Sequence, residues 1–102
     1  MTRVRLFVYG SLRRGERHHE ELGDAVFLGV VTTVACYRLA RLGQYPALLP
    51  GSGSVTGELY GVASGFLPSL DAFEDPGYVR GCVRLSDGSE AEAYFMAEAP
   101  RE

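Results

Sequence analysis

Apolar and polar positions alternate with a period of two along most of this chain, and helical spacing stands out in only one stretch. Val4, Leu6 and Val8 alternate with Arg3, Arg5 and Phe7, which predicts a strand over residues 3–9 ending at Gly10. Residues 16–22 are polar and compatible with a short helix, with Gly23 as its stop. Val, Thr, Phe and Tyr crowd residues 25–39, where one long strand or two bent ones fit best. The segment from Gly43 to Ser54 carries three Gly and two Pro, so it reads as a loop. Residues 54–62 are strand-like again, and Gly57 and Gly61 there suggest bulges or a close backbone approach. The clear helix runs from Phe66 to Glu74, with Pro68 in its first turn and Asp75-Pro76-Gly77 ending it.

Tyr78 to Leu85 and Glu90 to Met96 read as a hairpin around Ser86-Asp87-Gly88. A two-residue Asp87-Gly88 loop would set Val83 against Glu92 and mix the faces. A three-residue loop with Gly88 in the left-handed region pairs Val83 with Ala91 and Arg84 with Glu90. The second register keeps apolar with apolar and opposes charges, so it is the predicted one. The predicted fold class is α+β: a small, twisted, mostly antiparallel sheet able to close on itself as a barrel, with one or two short helices.

Composition narrows the function classes. The 102 residues suit one domain over the whole chain, and 46% hydrophobic with 23% charged residues is the balance of an ordinary globule. The formal net charge is -3, and all ten basic residues are scattered Arg. Such a chain has no basic stripe for nucleic acid. No apolar run approaches the roughly 20 residues that span a bilayer, and the N-terminus lacks a signal-peptide pattern. The expected location is the cytoplasm, with neither nucleic acid nor membrane as partner. Cys36 and Cys82 lie in strand-like apolar segments without metal-ligand spacing, so they read as small hydrophobes.

Two places could carry chemistry. In Tyr9-Gly10-Ser11-Leu12-Arg13-Arg14-Gly15 a strand breaks into a turn, and Gly10 would let backbone N–H groups face inward as a cradle for a carboxylate or oxyanion. The bland alternative is a strand-to-helix connection with an exposed Arg pair, and spacing does not separate the two. The second place is Glu74. Leu67, Leu70 and Glu74 fall at i, i+3 and i+7 on the helix face that packs on the sheet. Burial, the negative end of the helix and neighbouring Asp71 and Asp75 would all raise its pKa toward a value suited to proton transfer. A frayed last turn with Glu74 in solvent remains the alternative. His18 and His19 sit among charges on a polar helix, which fits surface residues rather than a base or a zinc site. Tyr45-Pro46 is either a substrate wall or a pinned turn.

The chain resembles the γ-glutamyl cyclotransferase-like family, especially its small single-domain members. The resemblance rests on Val8 to Gly15, on Gln44-Tyr45-Pro46-Ala47-Leu48, on Val55-Thr56-Gly57-Glu58-Leu59-Tyr60, on Leu70-Asp71-Ala72-Phe73-Glu74 and on Tyr78-Val79-Arg80, in that order. It implies a compact α+β fold with a small closed barrel and a pocket at one end. It also implies that Tyr9, Gly10, Ser11 and Leu12 bind a γ-glutamyl group, that Glu74 is the acid-base carboxylate, and that Tyr78 helps line the pocket. The sequence departs from many relatives at Asp75-Pro76, where they have glycine after the glutamate. It also stops soon after its last strand, which leads to the expectation of an open mouth between the Gly43 to Gly53 loop and the Glu74 to Tyr78 turn.

The activity so implied is cofactor-free cleavage of γ-glutamyl amines or peptides by internal cyclisation to 5-oxoproline and a free amine. The partner would be that small-molecule substrate alone, and the oligomeric state is not specified by the sequence. A rival from another class is a non-catalytic carboxylate-binding module of the same fold. A third is a structural or interaction domain in which the glutamate is a relic.

Overall fold

The computed structural model describes residues 3–10, 13–15, 22–23, 25–42, 45–68, 70 and 78–96. Within them lie seven strands: β1 (Arg3–Val8), β2 (Val26–Thr32), β3 (Tyr37–Leu42), β4 (Tyr45–Pro50), β5 (Thr56–Ala63), β6 (Tyr78–Arg84) and β7 (Glu90–Met96). They form one sheet in the order β2-β5-β1-β7-β4-β3, with β6 also paired to β7.

β1 is the centre of this arrangement. It runs antiparallel to β5 from Arg3↔Ala63 to Val8↔Glu58, and parallel to β7 at Leu6↔Glu92. Its apolar half is buried on both faces. Leu6 and Val8 enter one core with Leu22, Tyr60, Val62, Leu67, Leu70 and Tyr94. Phe7 and Tyr9 enter a second core with Leu48, Val55, Leu59, Val83, Leu85, Ala91 and Ala93. The alternation in the sequence therefore holds only for residues 3–6; from Leu6 on, two cores demand apolar side chains on both sides.

β7 is forked. β6 occupies one of its edges along the full length, from Tyr78↔Met96 to Arg84↔Glu90. β1 and β4 must share the other edge, β1 at Glu92 and β4 at Phe95. The sheet does not close into the expected barrel. Among the described residues its outer strands β2 and β6 share no ladder; just past their ends Thr33 and Leu85 form an isolated bridge, flanked by Ser86 N–H to Thr32 O at 2.8 Å and Val34 N–H to Arg84 O at 3.1 Å. A barrel would need those edges to pair along their length.

The expected Gly43 to Ser54 loop is corrected more sharply, since it contains β4, paired with β3 from Leu42↔Tyr45 to Tyr37↔Pro50. Prolines that argued for a loop are tolerated by phase. Leu48 sends its N–H away from β3, to the Tyr9 hydroxyl. Pro46 and Pro50 sit in the same phase as Leu48, so the donors they lack are ones β3 does not use. Gly57, by contrast, does what was expected of it. A Cβ there would lie 2.3 Å from the Val8 carbonyl oxygen and 2.9 Å from the Phe7 ring. Gly61 has only ordinary contacts, and the register shift falls in β2 between Phe27 and Gly29.

The β6–β7 hairpin has the predicted register, with Val83↔Ala91 and Arg84↔Glu90. Gly88 adopts φ 89°, and its N–H closes the loop on Leu85 O at 2.9 Å. A 3-10 turn, Ser64–Phe66, leads into helical Leu67, Pro68 and Leu70. Leu67 and Leu70 are buried as the i, i+3 stripe required. The rest of the predicted 66–74 helix, and the 16–21 part of the earlier one, lie outside the described residues, although Gly23 does adopt φ 60°. Cys36 and Cys82 are free and exposed rather than core hydrophobes. Strand alternation puts Val83 inward and so turns its neighbour Cys82 outward.

Candidate functional site

The site grows from the exit of β1. Tyr9, the last residue of the buried run, lies beside Phe7 with ring centroids 6.2 Å apart. Its hydroxyl donates to the Tyr94 carbonyl oxygen at 2.6 Å and accepts the Leu48 N–H at 3.2 Å. One phenol thus links β7 to β4 in the fork where the strands diverge, giving a partner to a buried donor and a buried acceptor.

Beyond Tyr9 the chain turns. The Gly10 carbonyl oxygen accepts the Arg13 N–H at 3.1 Å and Arg13 Nε at 3.1 Å. The far side is held by β5. Arg14 donates its backbone N–H to Glu58 Oε1 at 2.8 Å, and the Tyr60 hydroxyl donates to the same oxygen at 3.0 Å. Arg14 Nε lies 3.9 Å from Glu58 Oε2, and its guanidinium carbon sits 3.8 Å over the Phe27 ring. Phe27 in turn meets Tyr60 edge-on at 5.5 Å. Gly15 then takes φ 80°, which releases the chain in a direction other residues rarely follow. Burial raises the Tyr60 hydroxyl to a pKa of about 12, helped by the hydrogen bond to Glu58 and its negative charge, while Arg14 pulls the other way.

Of the residues singled out from the sequence, Tyr9 and Gly10 stand together at this exit. Ser11, Leu12 and Glu74 lie outside the described residues, as do His18 and His19. Tyr78 opens β6 with its backbone opposite Met96, and its side chain also lies outside them. Leu67 and Leu70 share a core with Leu6 and Val8, so these two helical residues pack against the strand that carries the turn. The sequence reading gave no role to Glu58 or Tyr60. The available signal was their i, i+2 spacing on one strand, which sets two polar groups on one face. Nothing local could have announced the Tyr9 bridge, because its partners are more than thirty residues away in the chain.

Among the described residues no group of three or more His, Cys, Asp or Glu is placed to hold a metal ion. None of their helices is long and apolar enough to cross a membrane.

The family model described as gamma-glutamyl cyclotransferase, AIG2-like, matches residues 6–102. A gamma-glutamylcyclotransferase family protein of Escherichia coli is 38% identical over 88 residues, which cover 84% of this chain and 77% of that protein. A gamma-glutamylaminecyclotransferase of Mus musculus is 42% identical over 80 residues, covering 69% of this chain and 54% of the mouse protein. Among solved structures, an AIG2-like protein from Mus musculus superposes with a TM-score of 0.82 at 34% identity, over 98% of this chain and 82% of that one.

Proposed function

Because this chain belongs to the gamma-glutamyl cyclotransferase, AIG2-like family, we propose that it cleaves γ-glutamyl amines or peptides by internal cyclisation to 5-oxoproline and a free amine. The observation that carries the reading is the turn at the exit of β1, fixed at Gly10 by Arg13 and at Arg14 by Glu58, within a chain that matches the family across residues 6–102. The mouse relative's name, gamma-glutamylaminecyclotransferase, favours γ-glutamyl amines as the substrate class.

In the proposed reaction the substrate's α-amino nitrogen attacks its own γ-carbonyl carbon. One C–N bond forms as the other breaks, so the amine leaves and the glutamyl part closes into a five-membered lactam. Both reacting groups belong to one molecule, and binding in a folded shape supplies their proximity. An α-ammonium has a pKa of about 8 and is a poor nucleophile at neutral pH. Glu74 removes its proton and returns one to the departing nitrogen. Backbone N–H groups of Gly10, Ser11 and Leu12 hold the substrate carboxylate or the developing oxyanion, Tyr9 supports that turn, and Tyr78 lines the pocket. This chemistry uses no cofactor.

The test is incubation of the purified protein with a panel of γ-glutamyl amines and γ-glutamyl dipeptides, followed by assay of released 5-oxoproline. Release from at least one of them supports the reading. Saturable binding without release from any of them supports a carboxylate-binding module and overturns the enzyme.

A further inference from the structure

We infer that Glu58 is a positioning residue for the Gly10–Arg13 turn, acting as a hydrogen-bond acceptor rather than as a charge; its relevance to turnover rests on the reading of the site given above. The chain leaves the sheet at Val8, whose ladder partner is Glu58. After the turn it returns at Arg14, and the backbone N–H there binds the side chain of that same Glu58. Both ends of the turn are therefore referred to one residue of β5: one end through the strand ladder, the other through a carboxylate oxygen. Gly57 lets β5 approach this closely, because any Cβ would meet the Val8 carbonyl oxygen.

The geometry distinguishes an acceptor from a charge. Both close donors, the Arg14 N–H at 2.8 Å and the Tyr60 hydroxyl at 3.0 Å, converge on Oε1. The ionic contact is long at 3.9 Å, and the Arg14 side chain is 57% exposed while that of Glu58 is 15% exposed. An ion pair so placed contributes little. A backbone N–H bonded to a mostly shielded oxygen does more, since its loss leaves the donor without a partner. Glutamine keeps one oxygen with two lone pairs, enough for both donors, while an NH2 group replaces the second oxygen and the charge is lost. Glu58→Gln should therefore behave like the native protein, whereas Glu58→Leu should free the turn.

Two measurements decide it. In wild type and Glu58→Gln, hydrogen exchange of the Arg14 amide should be slow. In Glu58→Leu it should accelerate roughly ten- to a hundredfold while the β1–β5 ladder amides keep their protection. In the cyclisation assay Glu58→Leu should raise KM by about tenfold or more and leave the pH profile of kcat in place, with Glu58→Gln near wild type. If Glu58→Leu loses the ladder protection as well, Glu58→Thr, which favours strands but is too short to reach Arg14, takes its place. Unchanged exchange at Arg14 in these variants overturns the inference. So does a Glu58→Gln protein as impaired as Glu58→Leu with a displaced pH profile, which would make Glu58 a catalytic carboxylate. If wild type itself releases no 5-oxoproline, the proposed activity fails and the exchange data still decide the role of Glu58.

Discussion

The Tyr9 hydroxyl lies 2.6 Å from the carbonyl oxygen of Tyr94, which ties the residue opening the candidate site to the backbone of β7. The same oxygen accepts the Leu48 N–H, so Tyr9→Phe leaves one buried acceptor and one buried donor without this partner. The expected cost is about 1–3 kcal/mol. It is read from the urea midpoint at unchanged slope, and a midpoint equal to wild type would show that the fork holds without the phenol.

Glu74→Gln should abolish 5-oxoproline release while the protein stays folded and still binds substrate. Glutamine keeps the shape but cannot take the α-ammonium proton, so the loss in kcat should be at least about 10²-fold. A Gln variant turning over at the wild-type rate would remove Glu74 from the mechanism.

For the turn, Ser11→Ala should keep substantial activity, because the proposed donors are backbone N–H groups. Gly10→Val should lose it, since a branched side chain crowds the approach of the ligand to the backbone. A folded Ser11→Ala protein that binds substrate but releases no product would instead point to a serine nucleophile.

Alkaline pH gives a separate reading of the Glu58–Tyr60 contact. Tyr60 has its pKa raised to about 12, above its unfolded value of about 10. Its contribution to stability is therefore present in full below about pH 10 and is lost as pH rises toward 12, because the unfolded chain ionises first. Ultraviolet titration of the phenols should show a late step that disappears in Tyr60→Phe and moves to lower pH in Glu58→Gln. A late step that survives in Tyr60→Phe would assign it to another tyrosine.

What the sequence made legible follows the range of the forces involved. The β6–β7 hairpin was readable down to its register, because Val83, Ala91, Arg84, Glu90 and Gly88 are close in the chain and each alternative had a visible cost. The buried Leu67 and Leu70 stripe was readable for the same reason. β4 was not, because two prolines and flanking glycines outweighed its apolar centre. Only the direction of the Leu48 N–H, set by Tyr9 far away in the chain, shows that the prolines cost β3 nothing. The forked edge of β7 likewise depends on long-range pairing that no local pattern encodes. At the candidate site the motif from Tyr9 to Gly15 was visible, whereas its attachment to Glu58 was not.

The place of β1 between β5 and β7 also sets the order in which the molecule can assemble. β1 and β5 can zip together while much of the chain is still unfolded, but β7 joins β1 only by closing a loop nearly as long as the chain described. Closures of that kind are entropically costly, and folds dominated by them form slowly. Until β7 arrives, one edge of β1 and the Tyr9 hydroxyl lack the partners they hold in the finished sheet. A nascent or truncated chain without residues 90–96 therefore presents an open apolar strand edge, the feature that recruits other chains into aggregates. β7 acts as a latch, and the Tyr9 hydroxyl gains its Tyr94 partner only when that strand closes.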